Sequence, residues 1–223
     1  MSAEHVRSDW VEIPAGKWGR VPSSEIENRI ARAQAGLARA GIELALVVQN
    51  ADLYYLTGTI QQGQLLLPAQ GEPVLLVRKD LNRARQESPL PRVKAISSLR
   101  ELPGAVAAMG MSEAFVLGME LDVLPVNVFR RYEALFPKAV VRDVSPVIRE
   151  VRTVKSEYER ALMAEAAAMV DSVVQTVAGI LREGMTEVEL SAHCEFALRA
   201  AGYQGLARYR AFNQEWSYSH VFS

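Results

Sequence analysis

Two helix-opening signatures in the last third of the chain constrain its fold more than any other feature. Ser156 with Glu159 and Thr186 with Glu189 each have Ser/Thr-x-x-Glu spacing, in which hydroxyl and carboxylate reciprocally accept from the first free amides of a helix. Behind the first, Tyr158, Leu162, Ala166, Met169, Val173, Val177 and Ile180 recur at helical spacing as far as Gly184. Behind the second, Leu190, Cys194, Ala197 and Ala201 do so as far as Gly202. Two successive amphipathic helices present apolar stripes that a sheet or further helices must cover. The tract that follows, ending in QEWSYSHVFS, has length for about two short elements. Residues 149–223 are therefore expected to be the opening of a domain rather than the whole of one. Left uncovered, such stripes predict self-association through residues 156–201, or disorder there.

The chain ahead of that point is patterned differently. Residues 1–23 are polar, punctuated by Pro and Gly and without period, and read as an irregular arm. From Ser24 onward, Ile26, Ile30, Ala33 and Leu37 mark a helix, with Ser24 and Glu27 at capping-box spacing and Gly41 where its C-terminus belongs. IELALVVQN is an apolar run of strand length, and GQLLLPAQGEPVLLVRK reads as two strands joined by a turn containing Pro68, Gly71 and Pro73. There follow a polar helix over 80–87, a strand at RVKAIS, an Ala-rich helix over 103–109 and the strand AFVLGMEL. A helix begun by Pro125 and striped by Val128, Tyr132 and Leu135 then leads to the strand AVVRDV. DLYYLTG reads as a strand end or turn that sends Tyr54 and Tyr55 to opposite faces. The alternation predicts an α/β domain over residues 24–148, a mixed sheet flanked by helices. Its boundary falls between Ser145 and Lys155, where Pro146 interrupts the last strand.

Bulk properties narrow the function by exclusion. With 25 Lys and Arg against 26 Asp and Glu, the net charge of -1 gives no field that favours nucleic acid or an anionic membrane. A single cysteine, Cys194, rules out an internal disulfide and fits a reducing cytoplasm. The acidic, tryptophan-containing start is unlike a secretory signal, and no run is read as reaching the roughly 18 apolar residues of a membrane span. No phosphate loop, HExxH, GxSxG, CxxC or GxGxxG motif is present. The histidines, His5, His193 and His220, have no ligand-type spacing, so no metal set is read from this chain; only a composite site completed by carboxylates is left open. His193 is expected to be a partly buried helix residue bonded to backbone, and Cys194 a small hydrophobe on the stripe beside it. ARYRAFNQEWSYSH interleaves arginine with aromatics and reads as an edge strand, either simply packed or lining a ligand cleft.

Taken in order, NADLYYLTG, GMELDVLP, VSPVIREVRTVKSEYERALMAEAAAMVD and LREGMTEVELSAHCEFALRAAGYQG resemble the creatinase/prolidase family of Xaa-Pro peptidases over residues 24–205. The linker REVRTVKSEYE is the most specific part, with Arg152, Lys155 and Glu157 at the family's Arg, Lys and Glu positions. FNQEWSYSHVFS is similar to a strand ahead of the metal site in one branch. The resemblance implies a mixed α/β N-terminal domain followed by an α+β pita-bread catalytic domain, incomplete here, of a cytoplasmic enzyme that cleaves short peptides before proline. It implies two divalent metal ions (Mn, Co or Zn) in the longer parent, held by two aspartates, a histidine and two glutamates downstream of the matched region, and none in this chain. Metals bridged by hydroxide supply a nucleophile and polarise the scissile carbonyl. The resemblance also implies a homodimer whose N-terminal domain packs on the partner subunit, with Tyr54, Tyr55, Gln61 and Gln62 near the segment that reaches the neighbouring site. His220 is placed near the parent's cleft, where an imidazole hydrogen-bonds substrate or the developing oxyanion. Two rival readings stand beside this one: a non-catalytic creatinase-type dimerisation or binding protein, and a relative that hydrolyses another C–N bond on the same scaffold.

Overall fold

The computed structural model describes residues 19–205, 207–208, 210 and 215–216. The described residues form two compact units, one built on Arg20–Val154 and including Arg210, the other built on Lys155–Arg208.

The first unit runs α1 (Ser23–Arg39), β1 (Leu44–Val47), α2 (Asn50–Thr57), β2 (Gly63–Pro68), β3 (Val74–Val77), α3 (Leu81–Glu87) and β4 (Val93–Ala95). A 3-10 turn at Leu99–Glu101 then leads into α4 (Leu102–Ala107), β5 (Val116–Met119), α5 (Val126–Glu133), β6 (Val140–Asp143) and α6 (Ser145–Thr153). The strands make one mixed sheet in the order β4-β3-β2-β1-β5-β6. β2 is antiparallel to both β1 and β3, as a hairpin and its neighbour must be, whereas β1, β5 and β6 are parallel. The registers Leu46↔Leu66, Leu66↔Val74 and Leu46↔Met119 line up one layer of side chains. That layer packs with Leu102 and Val106 of α4, Tyr132 of α5, and Phe115 and Phe136 beside them. The alternate residues of β1, Ala45 and Val47, point to the other face, where α1 packs on β2, α2 and α6. Covered on both faces, β1, β2 and β3 are buried along their whole lengths, which is why they read as continuous apolar runs instead of alternating ones.

Three local expectations are corrected. α1 is not opened by Ser24 and Glu27. Extended Pro22 is its N-cap, with no side-chain cap, and the Pro22 carbonyl takes the Glu25 and Ile26 amides. DLYYLTG is helical rather than a strand end: the Gln49 side chain accepts from the Asp52 amide at one end of α2, and left-handed Gly58 (φ 74°) closes the other. SPVIREVRT forms α6, because a proline in the first turn lacks only an amide that a helix leaves unused. α6 is held to α1 by Arg32, which donates to the Val151 carbonyl at 2.6 Å, and by Gly36, where a Cβ would lie 2.6 Å from Val147 Cγ1.

The second unit contains α7 (Glu157–Ile180), α8 (Glu187–Ala200) and the antiparallel pair β7 (Ala207–Arg208) with β8 (Glu215–Trp216). Both sequence-derived capping boxes form: Ser156 with Glu159 opens α7, and Thr186 with Glu189 opens α8. α7 packs on α8, and the predicted stripe is the half-buried face, with Ala166 exposed. Cys194 is buried, as expected, but His193 is exposed rather than partly buried: one residue along a helix turns about 100° away from the packed face. α7 is also long and apolar enough, by length and composition, to cross a membrane, which corrects the expectation that no run approaches that length.

Candidate functional site

In an open α/β sheet the carboxyl ends of parallel strands are where chemistry gathers, because the chain there leaves the sheet and exposes side chains and helix N-termini. In the first unit, β1, β5 and β6 end together in this way, and each is followed by polar residues that meet in space. β1 leads to Gln49 and Asp52, β5 to Glu120 and Asp122, and β6 to Asp143 and Ser145.

Asp52 sits in the first turn of α2 and has no exposed surface. Arg152 Nη1 of α6 donates to its Oδ1 at 2.6 Å, and Arg210 Nε donates to its Oδ2. Arg210 Nη1 also donates to Asp122 Oδ2 at 2.5 Å. Asp122 is held in turn by Ser145 Oγ, which donates to its Oδ1 at 2.6 Å, with Arg149 at 3.3 Å from its Oδ2. Burial alone would raise the Asp122 carboxyl, but bonds from Arg210 and Ser145 and the charges of Arg210 and Arg149 outweigh it and hold the group below its ordinary range. Burial likewise opposes the charge of Arg210. The bond to Asp122 and the charge of Asp52 overcome it and keep the guanidinium firmly protonated.

Glu120 behaves oppositely. It is fully buried, its Oε2 accepts from the Val48 and Gln49 amides at 2.8 and 2.9 Å, and among the described residues no arginine is bonded to it. Burial first, then the hydrogen bond and negative charge of Asp52, push its carboxyl up to about 8. Oε1 has no hydrogen-bond partner among the described residues. Glu120 therefore keeps its proton near neutral pH, beside an Asp52 carboxylate that is bonded to Arg152 and Arg210.

The residues singled out in the sequence lie around the other end of α2. Tyr54 is exposed and Gln62 with it, Gln61 is half-buried, and the loop between α2 and β2 carries Ile60 at 68% exposure. The Gln61 amide donates to Thr59 Oγ1 at 3.2 Å, while Thr59 Oγ1 donates to Glu87 Oε2 at 2.6 Å. Burial raises Glu87, yet hydrogen bonds from Thr59, Arg83 and Gln61 and the charge of Arg83 bring it below the usual carboxylate value. Tyr55 is buried, with the Arg29 guanidinium 4.2 Å and that of Arg152 5.3 Å from its ring centroid. His220 lies outside the described residues. Asp52, Glu120, Asp122 and Arg210 were not singled out in the sequence: an acid in the first turn of a helix or after a strand is ordinary, and only folding shows which acids meet. Arg152 alone carried a signal, its place in REVRTVKSEYE.

No group of three or more His, Cys, Asp or Glu side chains is placed to hold a metal ion among the described residues. Of the acids that do converge, Asp52 and Asp122 are bonded to arginine and Glu120 to two backbone amides, so this cluster does not fit a dinuclear metal site.

Comparison with known proteins puts the first unit in context. Residues 29–154 match the family model for the creatinase/prolidase N-terminal domain. An uncharacterised hydrolase/peptidase, y4tL, of Sinorhizobium fredii is 26% identical over 206 residues, covering 83% of this chain and 52% of its own. The Xaa-Pro dipeptidase of Pyrococcus horikoshii is 23% identical over 168 residues, covering 72% of this chain and 44% of its own. The crystal structure of dipeptidase PepE from Mycobacterium ulcerans superimposes with a TM-score of 0.71 at 24% identity, over 85% of this chain and 53% of that one. The chain spans about half the length of the relatives it matches.

Proposed function

The chain belongs to the creatinase/prolidase N-terminal-domain family, and from that premise we propose that it is the N-terminal half of an Xaa-Pro dipeptidase or aminopeptidase P-like metallopeptidase that cleaves short peptides before proline. The observation that carries this is the continuity of the likeness. It takes in the family domain at 29–154 and, in relatives named as a hydrolase/peptidase and an Xaa-Pro dipeptidase, 83% and 72% of this chain. On this reading residues 24–148 are the N-terminal domain, and 149–223 are a linker and the start of a pita-bread catalytic domain. Two divalent metals, Mn, Co or Zn, are held by residues beyond those described. When bound they supply the hydroxide nucleophile and polarise the scissile carbonyl. The parent is a cytoplasmic homodimer, in which exposed Tyr54 and Gln62 and half-buried Gln61 stand toward a partner subunit's cleft and His220 lines the chain's own. The test is an Xaa-Pro dipeptide assay with manganese, cobalt or zinc, run on the 223-residue chain and on the product extended through any open frame after Ser223. Hydrolysis by the extended product alone is expected. Hydrolysis by the short chain, or none by an extended product that carries the five metal ligands, overturns the proposal.

A further inference from the structure

The amino ends of β5 and β6 lie at the opposite end of the sheet from the acid–arginine cluster and carry a feature of their own. There α4, the segment joining α4 to β5 and the segment joining α5 to β6 border a groove of about 500 Å³, within the volume range of small-molecule sites. Buried Val106, Phe115 and Phe136 and half-buried Met111 and Leu135 line it. Phe115 and Phe136 meet edge to face with ring centroids 5.8 Å apart, so an apolar group entering the groove finds aromatic surface and a thioether that adjusts to it. The charged residues of the lining are Glu113, ahead of β5, and Lys138, ahead of β6. Lys138 Nζ donates to Glu113 Oε2 across 25 residues of chain. Each keeps the other ionised: the bond and charge of Lys138 lower the Glu113 carboxyl, and those of Glu113 raise the Lys138 ammonium. Their side chains are 80% and 66% exposed, and an ion pair in water is held only weakly. It opens at little cost for a ligand that replaces both halves at once. The Ser112 hydroxyl, also in the lining, is engaged with the Ala114 carbonyl at 2.6 Å.

We propose that this groove binds a free α-amino acid with a large apolar side chain, which lies on Phe115 and Phe136 while the ammonium meets Glu113 and the carboxylate meets Lys138. Charge complementarity selects that class. A ligand with a single charge satisfies one residue of the pair and strands the other. In an extended peptide the two terminal charges move apart by about 3.5 Å for each added residue. Glu113 and Lys138 are in direct contact, and so match an ammonium and a carboxylate carried on one carbon. Every residue of the site belongs to the first unit. The site goes beyond the peptidase reading, and neither it nor its test depends on that reading.

L-Phenylalanine is the probe, followed through the methyl resonance of Met111 in the 223-residue chain, which is identified by its loss in Met111→Leu. A saturable shift is expected, with a Kd in the millimolar range that about a dozen heavy atoms support. Phenethylamine, which lacks the carboxylate, and 3-phenylpropionate, which lacks the ammonium, should each bind about threefold to fivefold more weakly, the share of an exposed ion pair. Lys138→Met should erase the preference for phenylalanine over phenethylamine and keep that over 3-phenylpropionate. Glu113→Gln should do the reverse. Both variants change exposed side chains, which the fold tolerates. No saturable shift of Met111 by about 20 mM phenylalanine, equal affinity for the three ligands, or both preferences surviving in either variant overturns the proposal. So does a Met111 shift that follows protein concentration with no ligand present, because a second copy of the chain then fills the groove.

Discussion

β1 and α7 are both apolar in sequence, yet all four residues of β1 are buried and none of the 24 of α7 is. The difference is in their neighbours. β1 has a strand on each edge and packed side chains on each face, whereas α7 meets α8 along one stripe. A second line of apolar residues on α7, Met163, Val170 and Val174, is 57–62% exposed. Apolar character supplies the free energy for burial, but only a partner surface realises it.

The largest effect should come from cutting into the better-covered element. Leu46→Ala on β1 removes a fully buried side chain and is expected to cost about 2–5 kcal/mol. Val174→Ala on α7 should change stability by no more than about 0.5 kcal/mol. Urea melts of both variants read the difference directly, and similar costs would break the comparison.

Glu120 comes next and sharpens it, because buried polar groups are as sensitive to their surroundings as apolar ones. Glu120→Ala strands the Val48 and Gln49 amides, at about 1–3 kcal/mol for each left unsatisfied. The isosteric Glu120→Gln keeps an acceptor for both amides and a donor toward Asp52, and cannot ionise. The wild-type carboxyl is raised from 4.5 to about 8, so over that interval the folded chain holds a proton that the unfolded chain has released. Its contribution to stability is therefore full below pH 4.5 and is lost as pH climbs through about 8. Stability of Glu120→Gln relative to wild type should rise across that interval and level off above it, as melting temperatures over a pH series will show. A pH-independent difference would place Glu120 in its charged form throughout.

The smallest effect on stability, though not on behaviour, is expected on the open face of α7. We expect the 223-residue chain to self-associate through that face. Val170→Ser/Val174→Ser should lower the apparent mass in light scattering while shifting the Tm of the first unit by no more than about 1 °C. A wild-type chain that is already monodisperse and monomeric would show that the exposed line needs no cover.

Much of the fold was legible in short windows. The hairpin of β2 and β3, the helix begun by Pro125, and the capping boxes of α7 and α8 all depend on residues a few positions apart, and all form. The misreadings also had local causes. Ser24 and Glu27 had the spacing of a cap, but Pro22 already capped the helix two residues earlier. Tyr54 and Tyr55 suggested the two faces of a strand, yet Gln49 and Gly58 cap them into a single helix with one ring exposed and one buried.

What the sequence determined by itself was the order and type of most elements, the change of character near Ser145 to Lys155, and the family likeness, since each is written in patterns within a few turns of chain. The tertiary structure alone decided which charges meet. Asp52 is separated from Arg152 and Arg210 by 100 and 158 residues, and, the linker motif around Arg152 aside, nothing in the neighbourhood of these residues distinguishes them from solvated surface charges. Whether a carboxylate keeps its proton, as Glu120 does, or binds a guanidinium, as Asp52 does, depends on burial and on the nearest opposite charge. Both are set by strands and helices that come together only when the sheet is complete.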